Sequence, residues 1–123
     1  MIHDEPARGS VPPPWFWSLS GIDRMRAFSD GLLPWPPLSR LTGMRMSHVD
    51  AGSTTWTMPA SEWLVGFGGL LDLTVLIETA LTGASLTAAP PGSTVTPVTF
   101  SVNHFRVPRA ARGNVIAHAR VVN

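Results

Sequence analysis

The chain has no cysteine among its 123 residues. Disulfides, thiolate metal ligands and a cysteine nucleophile are thereby excluded, while the redox compartment stays open. Lysine is absent too, and all nine basic residues are arginine, a trait of composition that carries little about function. Charge of either sign is scarce. Eight acidic residues leave a formal net charge of +1, too small and too scattered an excess for a nucleic-acid groove. Met1 to Ser10 mixes His, Asp, Glu and Arg with no apolar stretch behind it, so no secretory signal is visible and a cytoplasmic protein is the expectation. His3, His48, His104 and His118 show no ligand spacing, so no metal site is expected. No serine stands in a nucleophile elbow, and there is no Walker-type phosphate loop.

What the chain does have is 44% hydrophobic residues, enough for the core of one ordinary domain. Residues 1–18 read as a disordered or extended segment, polar and then proline-rich through Pro12-Pro13-Pro14. Residues 19–41 read as a short helix followed by a linker. Ser20 with Asp23 resembles a capping box, Ile22, Met25 and Phe28 recur at helical spacing, and Gly31 stands where a helix ends. Pro34-Trp35-Pro36-Pro37 then predicts an extended connection. From Gly43 the pattern alternates. Met44 and Met46, then Thr54, Trp56 and Met58, predict a hairpin with one buried face around a turn at Asp50-Ala51-Gly52. An apolar run after Leu64 predicts a long helix buried almost all round, strands are expected over 94–106 and 114–122, and the phase shift near Pro97 predicts a bulge or edge position. This order gives an α+β domain over 42–123, with a helix laid on an antiparallel sheet. The stretch from Trp63 to Leu81 is interrupted by Asp72, Thr74 and Glu78, which fits a core helix better than a membrane span.

Between Leu70 and Ala89 the only formal charges are Asp72 and Glu78. A carboxylate in so apolar a setting must be paired, protonated or functional. At about 3.6 residues per turn, Thr74, Glu78, Thr82 and Ser85 form one polar stripe, which places hydroxyls beside the Glu78 carboxylate. Two readings stand level on these residues: a nucleophile or general base, or a structural carboxylate held by an arginine while the threonines bond to backbone carbonyls. Asp72, six positions earlier, falls roughly 120 degrees around a continuous helix and is expected to serve the helix dipole. Gly68-Gly69 ahead of the helix can present backbone N–H groups to a carbonyl, or can simply be a tight helix entry. Arg106, Arg109 and Arg112 cluster at one turn near Arg120, as a solvated rim or as phosphate ligands.

From about Ser20 onward the chain resembles the PaaI-like hotdog-fold acyl-CoA thioesterases. The resemblance is carried by Ser20 to Phe28, Asp30-Gly31-Leu32-Leu33-Pro34 and Pro37 to Gly43 as the lead-in, then by the hairpin and by an apolar helix bearing Glu78. The Pro90-Pro91-Gly92 turn and the Asn103-His104-Phe105-Arg106 strand ending complete it. It implies an α+β hotdog fold and thioester hydrolysis of an acyl-CoA without a cofactor. Glu78, Thr82, Gly68 and Gly69 are the implied catalytic group, with Phe67, Asn103 and Arg106 as substrate-binding residues. The implied partner is a second copy, or a second hotdog domain, that completes sheet and site; no nucleic acid and no membrane is expected. The sequence departs from the family pattern in two places. Phe67-Gly68-Gly69 stands where His-Gly-Gly is usual, and the second glycine lies two residues farther from the acid, a rotation of roughly 200 degrees on a helix. The strands that usually follow the one at 114–122 are also missing, which leads to the expectation that residues 42–123 are a hotdog domain lacking its last strands and the first part of a longer polypeptide. An inactive hotdog domain acting in acyl binding or assembly is the alternative. A hydratase reading is weaker, because no Asp and His pair has the spacing that chemistry needs.

Overall fold

The structure, a computed structural model, describes residues 12–97, 101 and 113–122. Its centre is a three-stranded antiparallel sheet in the order β1-β2-β3, with β1 at Arg45–Asp50, β2 at Ser53–Pro59 and β3 at Asn114–Arg120. Strands β1 and β2 form the expected hairpin, whose turn uses Gly52 at φ +78°, a backbone conformation that favours glycine. The register shifts between Met46 and His48, where a bulge lets β1 keep Met46 opposite Trp56 and His48 opposite Thr55. Alternation does what the sequence predicts: Met46, Thr54, Trp56 and Met58 are buried, and Thr55 and Thr57 face the other way.

Helix α3, Thr74–Leu86, packs on β2 and β3. It meets the sheet through small residues. Ala80, Gly83 and Ala84 are buried with Leu76, which brings the helix close enough for the Thr54 hydroxyl to donate to the Ala80 carbonyl at 2.9 Å while accepting from Trp56 Nε1 at 3.2 Å. Met25, Met44, Met46 and Met58 fill the space around Trp56; unbranched thioether side chains suit such an irregular gap. Helix α1, Gly21–Ser29, covers β1 and the C-terminal end of α3. Its start is the expected capping box: Ser20 Oγ accepts from the Asp23 N–H and donates to Asp23 Oδ2 at 2.9 Å.

Three elements differ from expectation. Pro14–Ser18 is a 3-10 helix that buries Phe16, not an extended segment, because an aromatic cluster with Phe28 gives it a place to pack. Pro37–Thr42 forms a second short helix, α2, inside the expected linker, with Pro37 at its first position and Gly43 closing it; proline fits there, where an N–H would have no partner anyway. The apolar run after Leu64 is not one long helix. A 3-10 turn at Glu62–Leu64 leads into a tight hairpin, with Val65 bridged to Leu71 and Gly69 N–H bonded to the Gly66 carbonyl at 3.1 Å, and α3 begins only at Thr74. Residues 94–97 are not in a strand, and the remainder of the strand expected over 94–106 lies outside the described residues apart from Ser101. The bulge or edge expected at Pro97 falls at that boundary.

Candidate active site

Glu78 lies one turn into α3, on the face turned away from the sheet. The helix is therefore not buried all round. Leu76, Ala80, Gly83 and Ala84 occupy the sheet side, whereas Thr74, Leu81 and Ser85 are exposed and Glu78 and Thr82 are half-buried. The expected stripe of Thr74, Glu78, Thr82 and Ser85 is present, but it faces outward because the small residues win the close contact with the sheet. Thr82 Oγ1 donates to Glu78 Oε1 at 3.0 Å. This is the i,i+4 contact that the spacing predicts, and it leaves Oε2 of the carboxylate for another partner.

The carboxylate stands where two grooves meet. The larger, about 570 Å³, has Trp63, Leu64, Val65 and Gly66 along one wall. Asp72, Thr74, Val75 and Glu78 form the other. The smaller, about 350 Å³, runs from Glu78 along Leu81, Thr82 and Ser85 under Val95, Thr96 and Pro97.

Asp72 does not stand where a continuous helix would put it. It precedes the helix, and its Oδ1 accepts from the Thr74 N–H at 2.9 Å, which caps the first turn. Since residue 72 is off the helix, the 120-degree separation does not apply, and both carboxylates line the larger groove.

Gly68 and Gly69 are not at the helix entry. They form the tip of the Val65–Leu71 hairpin, five and four residues ahead of Leu73, and neither is among the lining residues of the two grooves at Glu78. Gly69 adopts φ +76° and spends its N–H on the turn, so its role here is conformational. Phe67, beside them, is fully exposed. Backbone near Glu78 comes instead from Gly66, whose N–H is taken by the Leu70 carbonyl at 3.0 Å, and from the first turn of α3. There the Val75 and Leu76 N–H groups have no acceptor within the helix by geometry, and Val75 lines the groove beside the acid. The sequence signal for Val75 was its position three before Glu78, on the same face. Asn103, Arg106, Arg109 and Arg112 lie outside the described residues; Arg120 ends β3, exposed.

No protein-family model and no curated protein matches the chain. Among solved structures, the chain is similar to a mutant thioesterase from Pseudomonas aeruginosa, with a TM-score of 0.63 at 22% identity, over 95% of this chain and 77% of that one. The α+β hotdog fold expected from the sequence is the fold of this chain. Among the described residues, no helix is long and apolar enough to cross a membrane.

Proposed function

We propose that the protein hydrolyses acyl-CoA thioesters, with Glu78 as the carboxylate that drives the reaction. The observation that carries this reading is the placement of Glu78 at the junction of two grooves, with one oxygen held by Thr82. The similarity to a thioesterase supports it at the level of fold. Thr82 fixes Oε1 and orients the carboxylate; Oε2 takes a proton from a water that attacks the thioester carbonyl, or attacks that carbonyl itself to form, once the thiolate has left, an anhydride that water then cleaves to free acid and Glu78. Negative charge builds on the carbonyl oxygen. The Val75 and Leu76 N–H groups, with the positive end of the α3 dipole behind them, are the donors available to it. Collapse of the tetrahedral intermediate breaks the C–S bond, and the CoA thiolate leaves and takes up a proton. The exposed outer face of α3 leaves the site open to completion by a second copy or a second hotdog domain, as the resemblance implies.

The glycine pair supports a second reading. Gly68 and Gly69 lie away from the acid, which suits a hotdog domain that binds acyl groups or assembles without cleaving them. The two readings part on Glu78. Under the first, Glu78→Gln lowers kcat for the preferred acyl-CoA by about a thousandfold with the fold intact by circular dichroism. Turnover retained in Glu78→Gln and Glu78→Ala rules the role out, and a wild-type protein that binds acyl-CoA without cleaving any member of a panel establishes the second reading.

A further inference from the structure

The two grooves at Glu78 differ in charge, and the difference orients the substrate. Glu78 is common to both; among the described residues, the larger groove adds a second carboxylate, Asp72, and no arginine. The smaller groove offers hydroxyls, from Thr82, Ser85 and Thr96, and among the described residues no charge besides Glu78. A CoA thioester is anionic at its nucleotide end and carries amides along its pantetheine arm. Like charge steers that arm away from Asp72, and the hydroxyl-lined groove can bond its amides. The acyl group is then left for the larger groove, against Trp63, Leu64, Val65 and Val75.

We infer that Asp72 is a specificity-determining residue of this site, admitting neutral acyl groups and excluding those that end in a carboxylate. The inference rests on the reading of Glu78 as the centre of an acyl-CoA site. Asp72 is exposed at the groove wall, and its Oδ1 accepts from the Thr74 N–H at 2.9 Å, which orients the carboxylate there. An acyl group with a second carboxylate would meet like charge from Asp72 and Glu78, and among the described residues that line the groove there is no cation to offset it. A neutral chain meets the apolar wall, and a hydroxyl or amine at its end can donate to Asp72.

The test uses two analogues of equal acyl length, butyryl and succinyl dethia-CoA, in which a methylene replaces the thioester sulfur so that binding is measured without turnover. By calorimetry on the whole chain, the butyryl analogue is expected to bind at least about tenfold tighter, the size of like-charge repulsion over ~7 Å at an effective dielectric constant of ~40. Asp72→Asn should narrow that ratio about tenfold, since asparagine keeps the acceptor for Thr74 N–H and loses the charge. Asp30→Asn, which removes the same charge at the exposed end of α1, should leave the ratio as it is. Equal affinities in the wild type, or a ratio that Asp72→Asn does not change, overturns the inference. Failure of the butyryl analogue to bind removes acyl binding at this site altogether. Selective binding with no hydrolysis of butyryl-CoA leaves the inference standing and removes only the hydrolytic reading.

Discussion

At the scale of single residues, the Thr82 hydroxyl lines the smaller groove and donates to Glu78 Oε1 at 3.0 Å. Under the proposed hydrolysis it is a positioning residue for that carboxylate. Removing its hydrogen bond to a charged group is worth roughly 1.5 kcal/mol or more, so Thr82→Val is expected to lower kcat about tenfold. The Michaelis constant is expected to rise less than kcat falls, because Ser85 and Thr96 keep their hydroxyls in the smaller groove. Thr82→Ser keeps the donor and should restore most of the loss. Steady-state kinetics on the two variants decides the matter: if serine rescues nothing, Thr82 acts through its methyl group as packing. Being half-buried, the residue should shift the melting temperature little in either variant.

At the scale of elements, the junction of α1 with the end of α3 is where the backbone tolerates least. Gly21 N–H donates to the Ala89 carbonyl at 2.8 Å, and a Cβ at Gly21 would overlap the Leu86 carbonyl. Backbone on one side and a helix end on the other leave nothing flexible to give way. Gly21→Ala should therefore destabilise the fold by ~3 kcal/mol, although the same change in an exposed helix would be favourable; chemical denaturation measures it, and a neutral result would mean that the two helices can part without loss. The Ser20 and Asp23 cap and the hairpin alternation were legible in the sequence because each depends on residues within a few positions of one another. The start of α3 was not. Leu70 to Leu73 carry the same apolar character as the helix, and what stops them joining it is the pairing of Val65 with Leu71 around the glycine turn, a contact that composition does not display. The misplaced Asp72 follows from that one boundary, whereas Glu78 and Thr82, both inside the helix, kept the relation their spacing predicts. Helix α2 is hidden in the sequence because proline, which breaks a helix interior, here stands at the first helical position.

At the scale of the whole molecule, the segment ahead of the sheet is fastened to the core by two independent devices. One is a chain of rings from Trp17 through Phe16, Phe28 and Trp35 to Trp56, with successive centroids 5.1, 5.5, 5.7 and 5.9 Å apart. The other is Arg24, fully buried in α1. Its guanidinium bonds the carbonyls of Trp17 at 3.0 Å, Pro90 at 3.3 Å and Ser93, and lies over the Trp17 ring at 5.2 Å. One side chain thus ties the first 3-10 helix and α1 to the turn that follows α3, and the Gly92 N–H doubles the link by donating to the Trp17 carbonyl at 2.8 Å. Among the described residues Arg24 Nε is buried without a hydrogen-bond partner, so the arrangement carries some desolvation cost that the carbonyl contacts must exceed. Replacing Arg24 with Met keeps much of the apolar stem but strands those carbonyls, at a cost of ~3 kcal/mol, equivalent to about 10 °C in melting temperature for a domain of this size. Because the ring chain ends on Trp56 in the central strand, the loss should not free the N-terminal layer alone. Tryptophan fluorescence, to which Trp15, Trp17 and Trp35 of that layer contribute alongside Trp56 and Trp63, and far-UV circular dichroism, which reports on the sheet and helices, should change together in a single transition in both wild type and Arg24→Met. An earlier fluorescence transition in the variant would mean that the lead-in segment is a separate folding unit clamped on by Arg24.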